Sequence, residues 1–259
     1  MNPTYLAIAR LLTEVAPVIC EGDAFALKGG TAINLFLREM PRLSVDLDLV
    51  FRDHRLPRAE ALTAINEALR AARERLAKRG FTVRAVSAAD MGETKLIVQR
   101  DDLLVKVEVN TVIRGTVGPV VTMPLSAAAS DALMADLELP LLSAEEIYGG
   151  KLVAAMDRQH PRDLFDVMEL FAHGGITPEI RRAFVVYLAS HNRTLHEVLF
   201  PTPKQHQSGS MYHRRLPSPG DAAAVTRCEP TRKRSPPRIE HAARAVGVPP
   251  ASAQICRRQ

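Results

Sequence analysis

The sequence predicts an α/β (α+β) fold: a small mixed sheet with flanking helices, followed by a helical half and a tail. Segments typical of strands alternate with helical ones up to about residue 125, and only helical spacing follows, up to residue 203. Beyond Pro203 this periodicity disappears. We therefore expect an α/β domain at 1–125, a helical domain completing a cleft at 126–203, and a disordered tail at 204–259.

The first half contains helices and strands in turn. Apolar residues at helical spacing after Asn2-Pro3 predict an N-terminal helix. A shorter helix is predicted at 31–38, and a long one at 57–79 that Gly80 ends. Alternating or β-rich segments predict strands at 24–27, 44–51, 81–87, 95–99 and 103–109.

The second half has the signals of successive helices. Ser143, followed by Glu146 three residues later, is typical of a capping box and predicts a helix over 144–158. Pro161 begins the next helix, which runs through residue 171 to a Gly-Gly pair. Thr177 caps a third helix. These helices form the predicted helical domain.

Composition favours a globular protein outside the membrane. Of the 259 residues 46% are apolar and 24% charged, and no apolar run reaches the ~18 residues of a membrane span. The first ten residues lack the pattern of a signal peptide. The three cysteines, Cys20, Cys228 and Cys256, form no metal-spaced cluster. We therefore expect a protein of the reducing cytoplasm.

Positive charge is concentrated in the tail. Residues 204–259 hold 11 of the 34 Lys and Arg and 3 of the 29 Asp and Glu, so they carry +8 and residues 1–203 carry −3. The tail could be a solvated extension, an RNA-binding arm that attracts phosphate, or a terminus altered by a frameshift. The sequence leaves these alternatives open.

Two carboxylates on one predicted strand indicate a metal site. Side chains alternate between the faces of a strand, so Asp46 and Asp48 point the same way, with Leu47 and Leu49 opposite. Their mutual repulsion is relieved by a divalent cation. Oxygen ligands without a Cys/His cluster predict Mg²⁺ or Mn²⁺ rather than zinc.

A Gly-Gly turn precedes this strand and predicts a phosphate site. Gly29 and Gly30 let the backbone turn sharply and approach a ligand closely, and Thr31 adds a hydroxyl at the start of a helix. A phosphate site beside two metal-binding acids suits attack on a nucleoside triphosphate (NTP). The alternative is a purely structural hairpin.

These motifs resemble the AbiEii/AbiGii toxins, within the nucleotidyltransferase superfamily that includes DNA polymerase β. The resemblance covers about residues 20–190. It rests on Lys28-Gly29-Gly30-Thr31-Ala32, on Arg42, Ser44, Asp46, Asp48, Leu49 and Phe51, on Ser143, Glu145, Glu146, Ile147, Lys151, Leu152 and Ala154, and on Arg162-Asp163-Leu164-Phe165-Asp166.

The resemblance implies transfer of a nucleoside monophosphate from an NTP to an acceptor hydroxyl, with release of pyrophosphate. It implies an RNA acceptor, the 3′ end of tRNA, and growth arrest in abortive infection and phage defence. A cognate antitoxin protein is the expected partner. Rival hypotheses are a nucleotidyltransferase that modifies a small molecule or a protein, and an inactive truncated member of the family.

The superfamily also uses a third acid on a neighbouring strand. Glu108 is the first candidate, since it shares a strand face with Lys106 while valines occupy the other face. A Lys/Glu face on an edge strand is the structural alternative. Asp101-Asp102 is a second candidate, but it lies in an apparent turn.

The remaining site residues follow from the resemblance. It implies that Lys151 pairs with triphosphate oxygens, although a snorkelling surface lysine is the alternative. Arg162 is a candidate nucleotide-binding residue. Either Asp163 or Asp166 would contact the nucleotide or orient Lys151, and the other would be structural. Ser44 could assist phosphate or metal binding, and Arg42 could bind phosphate or pair with Asp46.

Overall fold

The structure is a computed structural model that describes residues 3–88 and 92–202. Its helices are α1 (Pro3–Ile19), α2 (Gly29–Ala32), α3 (Arg58–Lys78), α4 (Ala127–Leu133), α5 (Ala144–Arg158), α6 (Pro161–Ala172), α7 (Pro178–Ala189) and α8 (Leu195–Leu199). Its strands are β1 (Phe25–Lys28), β2 (Asp46–Phe51), β3 (Thr82–Ala88), β4 (Gly92–Arg100), β5 (Leu103–Asn110), β6 (Val121–Pro124) and β7 (Glu138–Leu141).

The strands form one mixed sheet in the order β3-β4-β5-β2-β1-β7-β6. The β2–β5 and β1–β7 pairs are parallel, and the other four pairs are antiparallel. β2 is thus a central strand, with β1 and β5 as its neighbours. The acids of β2 consequently have a structured strand on either side.

Helices pack against this sheet in two groups. α1 contacts β2, β5 and β7, while α3 contacts β3 and β4, so both bury the apolar side chains of the strands. The second group is built around α5, which contacts α2, α6, α7 and α8. The predicted α/β fold class is confirmed. No helix in the described ranges is long and apolar enough to cross a membrane.

Helix starts follow the capping signals of the sequence. The Ser143 hydroxyl accepts a hydrogen bond from the Glu146 amide at the start of α5, and Thr177 does the same for Ile180 in α7. The other half of a capping box is absent, because the Glu146 carboxylate instead accepts the amides of Val117 and Gly118. That side chain therefore fastens a loop to α5.

Some elements differ from the predicted ones. The helix predicted at 31–38 is the short α2 followed by a π-helical turn, Ile33–Leu37. The sequence did not predict β6, α4 or β7. β6 and β7 are each four residues long and contain Pro124 and Pro140, and proline cannot donate a hydrogen bond to a sheet. From the sequence alone, such short segments with proline are interpreted as loops.

The division at residue 125 stays a prediction. β7 lies beyond it and still pairs with β1, so both predicted domains contribute strands to one sheet. The predicted tail, 204–259, lies outside the described residues.

Two helix ends provide a matched test of backbone strain. Met134 ends α4 in the left-handed region (φ 53°) with an exposed side chain, whereas Gln159 ends α5 at φ 51° with a buried one. The side-chain amide of Gln159 donates to the Thr202 carbonyl oxygen at 2.8 Å.

Met134→Gly should raise the free energy of unfolding by roughly 0.5–1 kcal/mol, because glycine relieves the strain at positive φ. Gln159→Gly should lower it, since the same relief is outweighed by a lost buried side chain. Urea unfolding of both variants checks this. Destabilisation by Met134→Gly would contradict it.

Candidate active site

Three predicted acids share one face of the sheet. Asp46 and Asp48 alternate with buried Leu47 along β2, as the sequence predicts. In the parallel pairing with β5, Asp48 lies directly beside Glu108, and Asp46 beside Lys106. Direct neighbours on adjacent strands point to the same face, about 4.8 Å apart. Asp48 and Glu108 are therefore side by side.

Along this row of the sheet two neighbouring acids lie between two lysines. Asp48 is paired in register with Lys28 of β1 on one side and Glu108 on the other, and Glu108 is paired with Lys95 of β4. Lys95 is turned towards Glu108, with its Nζ 3.0 Å from Oε1. Lys28 forms no such ion pair with Asp48.

The two β2 carboxylates have no donor of their own. Among the described residues, neither the Asp46 nor the Asp48 side chain accepts a hydrogen bond or forms an ion pair. Burial raises the pKa of the Asp48 carboxyl, and the positive charge of Lys28 only partly opposes this shift. A divalent cation would compensate the desolvated charge, so these two side chains fit a metal site.

Glu108 fits such a site less directly. Its carboxylate is half exposed and bound to Lys95. Within residues 3–88 and 92–202, no three acidic, histidine or cysteine side chains are already arranged around a common point. Glu108 would have to leave Lys95 to join Asp46 and Asp48 on one ion. The alternative acids Asp101-Asp102 lie in the β4–β5 turn, at the far end of β5.

The glycine turn lies against the acids. Gly29 has φ +79°, and a side chain there would collide with the carboxylate of Asp48. A Cβ on Gly30 would come within 2.8 Å of Arg42 and 2.9 Å of the Ser44 hydroxyl. Both positions therefore need glycine because polar side chains of the site pack directly against the backbone.

The two predicted hydroxyls brace the turn against β2. The Thr31 hydroxyl donates to the Asp46 carbonyl oxygen at 2.5 Å and lies 3.1 Å from the Ser44 hydroxyl. Thr31 is 1% exposed and Ser44 6%. Their contacts hold the glycine turn beside Asp46.

Lys151 is enclosed by the two acids of α6. Its Nζ lies 2.9 Å from Asp163 Oδ1 and 3.0 Å from Asp166 Oδ2, and the side chain is only 6% exposed. Asp163 also pairs with Arg158 at 3.0 Å. Both acids contact Lys151, and its ammonium is committed to them.

Asp166 also links the two groups of elements. Arg42 donates to both of its carboxylate oxygens, at 2.8 Å from Nε and 2.6 Å from the terminal nitrogen, and Asn34 donates at 3.2 Å. Arg42 thus pairs with Asp166, not with Asp46. Burial alone would raise the pKa of Asp166, but Arg42 and Lys151 outweigh it and hold the pKa below its usual value.

Arg162 stands apart from this network. Its backbone amide donates to the His160 ring at the start of α6, and its guanidinium forms no ion pair with the other predicted site residues, all of which lie in the described ranges.

Sequence reasoning missed a second network at the same face. The Lys28 ammonium lies 5.1 Å from the centre of the Tyr187 ring of α7. The Tyr187 hydroxyl donates to Glu146 at 3.0 Å, and Glu146 is 1% exposed. The lysine before the Gly-Gly turn was a usable signal, but nothing in the sequence connects it with Tyr187.

Removing the Asp166 carboxylate should destabilise the fold strongly. In Asp166→Ala, Arg42 and Lys151 stay buried without their shared partner, which costs about 3–5 kcal/mol in the free energy of unfolding. Glu14→Gln, in the exposed pair with Arg100, should cost less than about 1 kcal/mol. Urea unfolding measures both. Equal effects would show that Asp166 does not link the halves.

The charge of Asp166 should also set part of the acid stability. A carboxyl whose pKa is lowered in the folded state stabilises the fold above its unfolded pKa, about 3.9. This contribution is lost as pH falls through the lower folded value. Below about pH 4 wild type should therefore lose stability more steeply than Asp166→Asn. Urea unfolding of both proteins at a series of acidic pH values measures this. The same dependence of the free energy of unfolding on pH in the two proteins would contradict the lowered pKa.

Comparison with known proteins agrees with this geometry. The family model described as "Nucleotidyl transferase AbiEii toxin, Type IV TA system" matches residues 10–244. The match includes residues 204–244 of the basic segment, which the sequence analysis left outside the resemblance. A search of curated proteins gives no match.

One solved structure supports the fold. The chain is similar to MenT4, the nucleotidyltransferase toxin Rv2826c from Mycobacterium tuberculosis H37Rv, with a TM-score of 0.62 and 18% identity over 97% of this chain and 87% of that one. The CdnC:HORMA-deltaN complex of E. coli MS115-1 gives a TM-score of only 0.31, at 10% identity over 73% of this chain and 65% of that one, and carries no argument. The family match covers most of the sequence, so this chain belongs to the AbiEii family and is a nucleotidyltransferase toxin of a type IV toxin–antitoxin system.

Proposed function

We propose that this chain is a metal-dependent enzyme that transfers a nucleoside monophosphate from an NTP to the 3′-terminal hydroxyl of a tRNA. One observation carries the proposal. Asp46 and Asp48 present two carboxylates without donors on the same strand face, directly against the Gly29 turn. This combination suits a phosphate chain bridged by a divalent cation.

Asp46 and Asp48 would hold Mg²⁺ or Mn²⁺, with Glu108 as the third ligand once it leaves Lys95. When bound, the ion neutralises the triphosphate, activates the acceptor hydroxyl and stabilises the leaving pyrophosphate. The glycine turn supplies backbone close to the phosphates. Thr31 and Ser44 act through the turn, because their hydroxyls fix it to β2.

The reaction forms one bond and breaks one. The acceptor oxygen attacks the α-phosphorus, the bond from this phosphorus to the bridging oxygen breaks, and pyrophosphate leaves with that oxygen. The proton of the acceptor hydroxyl passes to one of the acids on this face of the sheet, Asp46, Asp48 or Glu108. Glu108 is the candidate acceptor of this proton, because it lies directly beside Asp48 and its carboxylate is half exposed.

The RNA acceptor is inferred from the family resemblance, and surface charge is compatible with it. Lys95 of β4 and Lys106 of β5 are exposed on the same face of the sheet as the acids. Cations beside the reaction centre favour a phosphate backbone over a neutral small molecule. A separate antitoxin protein in the same cytoplasm is the proposed partner.

The direct test is incubation of purified protein with total tRNA, Mg²⁺ and each α-labelled NTP in turn. Label should enter the tRNA band with one or more NTPs. Asp48→Ala should reduce the rate by about 100-fold or more, since even an outer-shell partner of a metal ligand contributes ~10–100-fold. Asp23→Ala, which removes an exposed carboxylate on the surface, is the matched control.

Other outcomes would support the rival functions. Pyrophosphate release without labelled tRNA would indicate a small-molecule or protein acceptor. Neither label nor pyrophosphate, from protein with a cooperative unfolding transition, would contradict the proposal and favour an inactive family member.

A further inference from the structure

Four lysines lie around the candidate site: Lys106 is exposed, and Lys95 and Lys151 are already paired with acids. Lys151 Nζ is within 3.0 Å of two carboxylates and is almost fully buried. Lys95 Nζ is 3.0 Å from Glu108. Lys151 therefore has two of its three N–H donors directed at carboxylates, in a position where little of the ammonium faces solvent. If Lys151 turned away, the buried carboxylates of Asp163 and Asp166 would each lose one of their cationic partners.

Lys28 has the opposite arrangement. It lies in register with Asp48 and directly precedes Gly29, so its backbone is fixed at the centre of the site. Among the described residues it forms no ion pair, and its one close partner is the Tyr187 ring. If Lys28 served only to neutralise Asp48, it would approach that carboxylate as Lys95 approaches Glu108.

Tyr187 explains why Lys28 stays away from Asp48. The ring is fixed at one end by its hydrogen bond to Glu146, and along its edge by Gly150, where a Cβ would come within 2.9 Å of the ring. A cation over an aromatic face is attracted by it but keeps its hydrogen-bond donors free. The ring thus holds a charged donor ready for an anion.

The energetics also favour an anionic ligand. The Lys28 side chain is partly buried against the Tyr187 ring, and among the described residues no carboxylate accepts a hydrogen bond from its ammonium. A partly desolvated ammonium without a hydrogen-bonding anion is costly for the folded protein. A bound phosphate oxygen would supply the missing partner, and the cation–π contact could remain.

We propose that Lys28 is the lysine that binds the triphosphate of the nucleotide, held in place by Tyr187, and that Lys151 joins α5 to α6 without contacting the nucleotide. This assignment rests on the proposed function, because it requires a triphosphate at the Gly29 turn. It assigns phosphate binding to Lys28 of β1 instead of Lys151 of α5.

Binding of inorganic triphosphate with Mg²⁺ tests this without acceptor, base or turnover. By calorimetry, Lys28→Met should weaken binding by about 10–100-fold, the loss expected for hydrogen bonds to a charged group. Lys78→Met removes an exposed lysine from the last turn of α3, away from the site, and should change binding less than about 3-fold. Equal binding by wild type and Lys28→Met would overturn the assignment.

A second measurement needs no variant and covers the case in which Lys28→Met does not fold. Wild-type protein is acetylated with and without Mg²⁺-triphosphate, and modification of each lysine is read by mass spectrometry. Triphosphate should protect Lys28 and leave the exposed Lys78 of α3 unchanged. Unchanged acetylation of Lys28, in protein that calorimetry shows to bind triphosphate, would overturn the assignment alone. Failure of wild type to bind triphosphate would overturn the proposed function as well.

Discussion

The structure depends on a buried carboxylate, Asp166, that belongs to both groups of elements. It joins Arg42, on the segment leading into β2, to Lys151 on α5, with Asn34 as a further donor. None of these polar groups could be buried alone without a large cost in free energy. Their mutual pairing therefore fixes how the α5 group lies against the glycine turn, and so the shape of the candidate site.

The charges around Asp166 differ from those at the sheet face in how they are paired. Around Asp166 every cation has a carboxylate and every carboxylate has donors, which suits a rigid interface. At the sheet face the balance is left open, because within residues 3–88 and 92–202 Asp46 and Asp48 have no hydrogen-bond donor and Lys28 has no anionic partner. Unpaired groups of both signs, a few ångströms apart, are costly without a ligand and complementary to a metal-bound polyphosphate.

The sequence predicted the parts of the site that depend on local geometry. Strand alternation placed Asp46, Asp48 and Glu108 on one face, and the Gly-Gly pair located the turn. Contacts between distant segments could not be predicted in this way. Arg42 meets Asp166 across 124 residues, and the alternative pairing with Asp46 was equally compatible with the sequence. β7 was missed because Pro140 gives it the appearance of a loop, while its pairing with β1 depends on the sheet.

The proposed chemistry requires that the two free carboxylates of β2 hold a divalent cation. The test is a crystal soaked with Mn²⁺ and inorganic triphosphate and measured for the anomalous signal of manganese. We predict a peak bonded to carboxylate oxygens of both Asp46 and Asp48 at about 2.0–2.2 Å, close to the distances of Mg²⁺ sites. A peak that contacts neither residue, or triphosphate bound at the glycine turn without manganese, would contradict the claim.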